Sequence, residues 1–157
     1  MSFMCAALTM LAHCSRETGE QFARALWPEL MFEDVIASKM RHRGGHGCTY
    51  VVLTLPDNPV MEPPKTVPQW MRTRVENSGE WRMTSYHRAL KETEMHYCLH
   101  GNPDKIDGAG MEGFGIEFAA ILKREGAWWI SYASGVDHVL MIYAPDARRA
   151  LHVRLGD

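Results

Sequence analysis

"EGFGIEFAAILKREGAWWISYASGVDHVLMIYAPDARRALHVRLGD", residues 112–157, is the stretch whose reading decides the fold. Phe114, Phe118, Ile121 and Leu122 recur at the spacing that puts apolar side chains on one face of a helix, and Lys123, Arg124 and Gly126 supply its stop. Three strands follow. Ala127 to Ala133 (AWWISYA) turns at Ser134-Gly135, His138 to Ala144 (HVLMIYA) turns at Pro145 to Arg148, and Arg149 to Leu155 (RALHVRL) runs out to Gly156-Asp157. His138 opens the most hydrophobic of these strands. An imidazole at the mouth of a buried hairpin, with an aspartate beyond the returning strand, is a setting in which a carboxylate can orient a base.

Working outward, Thr49 to Leu55 (TYVVLTL) is rich in β-branched residues and bounded by Gly47 and Pro56, so it reads as a strand. Pro56 to Pro68 holds five prolines and reads as a loop. The first third reads as helical: Met4 to Ala12, then Phe22, Ala23, Leu26 and Trp27 up to Pro28, then a helix carrying Leu30, Met31, Val35 and Ile36 that closes near Gly44-Gly45. Glu80 to His100 reads as helix to about Lys91 and strand after it, and Asn102 to Gly115 as a glycine-rich connection. Helices first and strands last predict an α+β fold, with N-terminal helices packed on a C-terminal antiparallel sheet.

The chain has 157 residues, 46% of them hydrophobic, and is expected to form a single domain, residues 1–157. Its formal charge of -2, from 17 basic and 19 acidic residues, argues against a nucleic-acid partner or an anionic membrane. No apolar run approaches the roughly 18 residues a spanning helix needs. The apolar start, Met1 to Cys14, lacks the basic flank of a signal peptide, so the expected location is cytoplasmic, or outside the cell by export without a cleaved signal. Cys5, Cys14, Cys48 and Cys98 are far apart, which favours a reducing compartment while leaving two bridges open.

A cysteine nucleophile needs a base and gains from a helix N-terminus. Cys5 stands where the first helix would begin, His138 can serve as base, and Asp157 or Asp146 can hold its ring; Cys14 is the alternative nucleophile. These residues resemble a family. Ile121 to Ile130 (ILKREGAWWI), followed by Gly135 to Ile142 (GVDHVLMI), with the opening Cys5 to Leu11 (CAALTML), is similar to the papain-like cysteine peptidases of bacteria, the effector and bacteriocin-processing branches included. The resemblance implies a papain-like fold and a cysteine-dependent hydrolase or acyltransferase acting on a peptide or related carbonyl. It assigns Cys5 as nucleophile, His138 as base and Asp157 as the orienting residue. No glutamine precedes Cys5 and Ala6 follows it, where those enzymes commonly carry glutamine and tryptophan. The alternative is therefore a non-catalytic bacterial or phage factor on a degenerate form of that fold, binding another protein through the proline-rich loop and its surroundings.

A second constellation comprises His42, His46 and Cys48, with His96, Cys98 and His100. Any four could satisfy zinc, but the spacings match no standard site, so no metal is expected. Gly108-x-Gly110-x-x-Gly113 lacks the preceding strand of a dinucleotide fingerprint and reads as linker. No cofactor is expected, and the partner under either reading is a protein or peptide.

Overall fold

β-Branched and aliphatic residues that neither alternate cleanly nor reach helical length mark strands buried on both sides, and the central strands of this chain are of that kind. The computed structural model describes residues 19–39, 47–65, 80–84, 98, 112–134 and 137–156. Among the described residues there are six strands: β1 (Asp34–Lys39), β2 (Gly47–Thr54), β3 (Arg82–Met83), β4 (Trp128–Ser134), β5 (Asp137–Ala144) and β6 (Arg149–Gly156). They form one sheet in the order β1-β2-β6-β5-β4-β3, with every neighbouring pair antiparallel. Among the described residues the helices are two and short: α1, residues 19–26, and α2, Glu112–Ile121.

The two-residue side-chain period divides the core between the faces. Val51, Leu53, Leu55, Val139, Met141, Tyr143, Ile130 and Ala150 point to one face, where Ala23, Leu26, Trp27 and Leu30 cover them from α1 and the turn after it. Tyr50, Val52, Leu140, Ile142, Leu151, Val153 and Leu155 point to the other, under Phe118 of α2, Leu122 just beyond its end, and Cys98. Each fully buried aliphatic or aromatic side chain contributes roughly 1.5–3 kcal/mol relative to exposure.

This arrangement overturns the expected α+β, papain-like architecture of N-terminal helices packed on a C-terminal sheet. The molecule is sheet-dominated, with β1 and β2 built into the same sheet as the C-terminal strands. The stretch from Leu30 to Gly44, expected as helix, contributes β1 instead. Val35 and Ile36 are β-branched, and the strand pairs across to β2 through Val35 with Leu53, Ala37 with Val52 and Ser38 with Val51, Ile36 being the extra residue of a bulge between Val35 and Ala37. Arg82 and Met83, expected in a helix, pair with Trp129 and Trp128. The helix expected at Met4 to Ala12 lies outside the described residues. The C-terminal helix and three strands occupy the positions their pattern indicates.

Cys48 and Cys98 form a disulfide with a Cα–Cα distance of 5.6 Å, where the wide cysteine spacing favours a reducing compartment while leaving two bridges open. It ties the start of β2 to a segment 50 residues later against the α2 face. The link from α2 to β4 depends on Gly126. Its φ of 94° is left-handed, and a Cβ there would stand 2.5 Å from Asp146 Oδ2 in the β5–β6 turn.

Phe118→Ala is expected to lower unfolding free energy by about 3–5 kcal/mol, because it empties the centre of the α2 face. Ile116→Ala, on the solvent side of the same helix, is expected to change it by no more than about 0.5 kcal/mol, and urea titration of the two variants checks the contrast.

Candidate functional site

The expected catalytic set is only partly within the described residues, since Cys5, Cys14 and Asp157 lie outside them. His138 is half-buried on the α2 face of β5. Its register partner is Leu155, whose own partner on the far side is Cys48, so His138 and Cys48 share a row two strands apart, roughly 10 Å between backbones. Cys48 is committed to Cys98 and offers no thiolate there. Asp146 sits in the turn beyond the opposite end of β5, roughly 25 Å along the strand, which corrects the expectation that it could hold the His138 ring.

Of the six His and Cys residues in the second constellation, the structure brings Cys48 and Cys98 together as a disulfide, and His42, His46, His96 and His100 lie outside the described residues. Among the described residues no group of three or more His, Cys, Asp or Glu side chains could hold a metal ion. Cys48 and Cys98 therefore do not form a metal site with other described residues.

His152, in the middle of β6 on the α1 face, was not singled out in the sequence. It is buried between Val51 and Met141, its register partners. Burial, with a smaller push from the Arg154 charge, lowers its pKa from 6.5 to about 3. The imidazole is thus neutral at physiological pH and belongs to the core.

What the structure assembles instead is an aromatic floor beneath the proline-rich loop. Residues 55–65 leave β2 without helix or strand, because Pro56, Pro59, Pro63 and Pro64 cannot donate to a ladder. Three ring donors, carried by β4, β5 and the residue just before β3, capture their carbonyls instead. Trp81 Nε1 donates to Pro64 O at 3.0 Å, Trp128 Nε1 donates to Met61 O at 3.1 Å, and the Tyr143 hydroxyl donates to Val60 O. Burial raises the Tyr143 pKa, so the phenol stays protonated and remains a donor. Trp27 stacks on Trp81 at 6.1 Å and 26°, extending the floor towards α1.

Each donor is positioned locally. Thr84, buried, accepts from Ala127 N at 3.2 Å and donates from both its N–H and its hydroxyl to Ala127 O, which locks β3 to β4 and sets Trp81 beside Trp128. Alternation along β4 sends Trp128 to the loop side, while Trp129 goes to the other face under the Arg82 guanidinium, 5.4 Å from its ring centroid. Arg148, left-handed at φ 53°, holds the entry of the loop: its Nε donates to Leu55 O at 3.0 Å, and its two terminal nitrogens pair with Asp57 and Glu33, each at 2.6 Å.

The loop's side chains face the other way. Val60 is 73% exposed and Met61 56%, and Met83, the cross-strand partner of Trp128, is 58% exposed. An apolar surface around Trp128 is therefore presented on a backbone that is already held. The sequence marks its components, a proline run and a Trp-Trp pair, but not that one tryptophan points at the run.

Comparison of the chain with models of known protein families, with curated proteins and with solved structures finds no match, and none of them identifies a papain-like peptidase. Among the described residues no helix is long and apolar enough to cross a membrane.

Two outcomes check these assignments. Because the folded pKa of His152 is depressed, the unfolded chain takes up the proton first. Its contribution to stability is present above pH 6.5 and is lost towards pH 3, at about 1.4 kcal/mol per pH unit. His152→Leu is expected to flatten the pH dependence of the urea midpoint by that one proton. Tyr143→Phe is expected to cost about 0.5–1.5 kcal/mol and to speed proteolytic cleavage within residues 56–65 relative to the native chain.

Proposed function

We propose that this chain is a non-catalytic protein-binding factor whose contact surface is the aromatic floor of β3, β4 and β5 together with the proline-rich loop it holds. The observation that carries the reading is the opposition of backbone and side chain at Val60 and Met61. Their carbonyls are bound by Tyr143 and Trp128, while their side chains stand in solvent. Isolated exposed apolar residues are ordinary, but here Val60, Met61 and Met83 gather about one tryptophan. A segment ordered before binding loses less conformational entropy when a partner docks, and methionine adapts its shape to an apolar surface.

A photo-crosslinking residue placed at Met61 or at Met83 is expected to give one common protein adduct in the cells that make the chain. The same residue at Ile116, exposed on the opposite face, is expected to give none. Met83→Asp should remove the adduct formed from position 61. Equal labelling from all three positions, or none from either 61 or 83, would defeat the reading.

A further inference from the structure

We propose that the outer edge of β1 and the cleft beside it receive an extended segment of another protein, which adds to the sheet as a strand and places one arginine side chain in the cleft. This surface lies at the opposite edge of the sheet from β3 and is distinct from the one about Trp128.

The bulge shapes the cleft. In a regular strand residues i and i+2 share a face. In β1, Ile36 and Ala37 both turn to the α2 face, where they pack on the cluster that holds Val52. On the α1 face the neighbours are therefore Val35 and Ser38, three residues apart, and a gap opens between them. α1 begins directly over that gap. A Cβ at Gly19 would stand 3.1 Å from Ser38 Oγ and 3.8 Å from Val35 Cγ1, so the glycine leaves the gap unfilled. What remains is a cleft of about 170 Å³ between α1 and the chain from Phe32 to Ser38, and among the described residues no part of β2 lines it. It opens at the edge of the sheet.

Among the described residues no strand pairs with the outer side of β1. Such an edge offers backbone N–H and C=O groups to an incoming strand, and a pocket beside it selects that strand by a side chain. Bulges also guard edges, by spoiling the flat register that two like strands need. Here the bulge disfavours a second copy of β1, whereas a strand with one long side chain facing the cleft meets the gap.

Charge selects the side chain. Glu20, Glu33 and Asp34 set three carboxylates in the lining against the Arg24 guanidinium. Arg24 is engaged already, because its Nε and Nη2 donate to Glu20 Oε1 at 3.1 and 2.8 Å and its guanidinium lies 4.9 Å from the centre of the Phe32 ring. A carboxylate has lone pairs for more than one donor, and the planar fork of an arginine can serve two carboxylates at once. These groups are partly exposed, so they discriminate the sign of the charge more than they add affinity.

The test titrates the isotope-labelled full chain with the peptide SVTVRVTS, and with counterparts that carry alanine or glutamate in place of the arginine. The amide signals of Val35, Ser38 and Lys39 are expected to move saturably while those of Met83 and Thr84 stay. Alanine should weaken binding about tenfold and glutamate further. SVPVRPTS, which puts a proline on each edge of the added strand, should not bind. Ser38→Arg, at an exposed position, fills the cleft with the chain's own guanidinium and should abolish the preference for arginine over alanine.

Equal affinity for the arginine, alanine and glutamate peptides, no saturable shift at β1, or a shift centred on Met83 overturns the inference. So do concentration-dependent shifts of the same amides without peptide, which assign the edge to a second copy of the chain. Failure here leaves the crosslinks expected at positions 61 and 83 untouched, since the two surfaces occupy opposite edges of the sheet.

Discussion

The interaction on which the structure depends is the pairing of β2 with β6. It runs without a break from Gly47 opposite Gly156 to Thr54 opposite Arg149. β2 and β1 form one antiparallel pair, and β6, β5 and β4 form one meander. Neither could bury both of its faces alone, and a two-stranded pair is marginal in water. Joined at this seam they make a sheet wide enough for α1 to cover one side and α2 the other. His152 lies on the seam, opposite Val51, and its neutrality follows from that position.

The seam also brings the binding surface into being. The loop that leaves β2 at Leu55 starts beside the β5–β6 turn, because Leu55 N donates to Arg148 O at 3.0 Å while Arg148 Nε returns a bond to Leu55 O. That reciprocal pair directs residues 56–65 across the face carrying Tyr143, Trp128 and Trp81. A glycine at 148 would suit the left-handed backbone but could not supply the guanidinium. The position exchanges local conformational ease for a long-range clamp.

Legibility in the sequence followed the range of the interactions. The C-terminal helix and strands were readable because their caps and turns are local: Gly126 stops the helix region, and Pro145 to Arg148 form the turn between β5 and β6. β2 was readable from its β-branched content. β1 was misread because Leu30, Met31, Val35 and Ile36 fit a helical stripe, and what makes it a strand is the partner at Val51 to Leu53, invisible to a local window. The Cys48–Cys98 bridge was undetermined since spacing alone does not give connectivity. For the site, the loop and the Trp128-Trp129 pair stood out, but the loop's contact with Trp81, Trp128 and Tyr143 joins positions 17, 67 and 83 residues apart. The order of His138 and then a carboxylate along the chain does not place Asp146 near the imidazole, because the extended strand β5 separates the two at its opposite ends.

The same seam sets a condition on synthesis. β2 emerges from the ribosome with its hydrogen-bonding edge facing a partner about a hundred residues downstream, and β6 must arrive before that edge is closed. Until then Val51 to Leu53 form an apolar strand with one side of its ladder open, the kind of edge that recruits strands from other chains. The waiting time at roughly 5–20 residues per second is several seconds or more. In that interval the bulged edge strand β1, already made, can pair the other edge of β2, and α1 with Leu30 can cover the face that carries Val51 and Leu53.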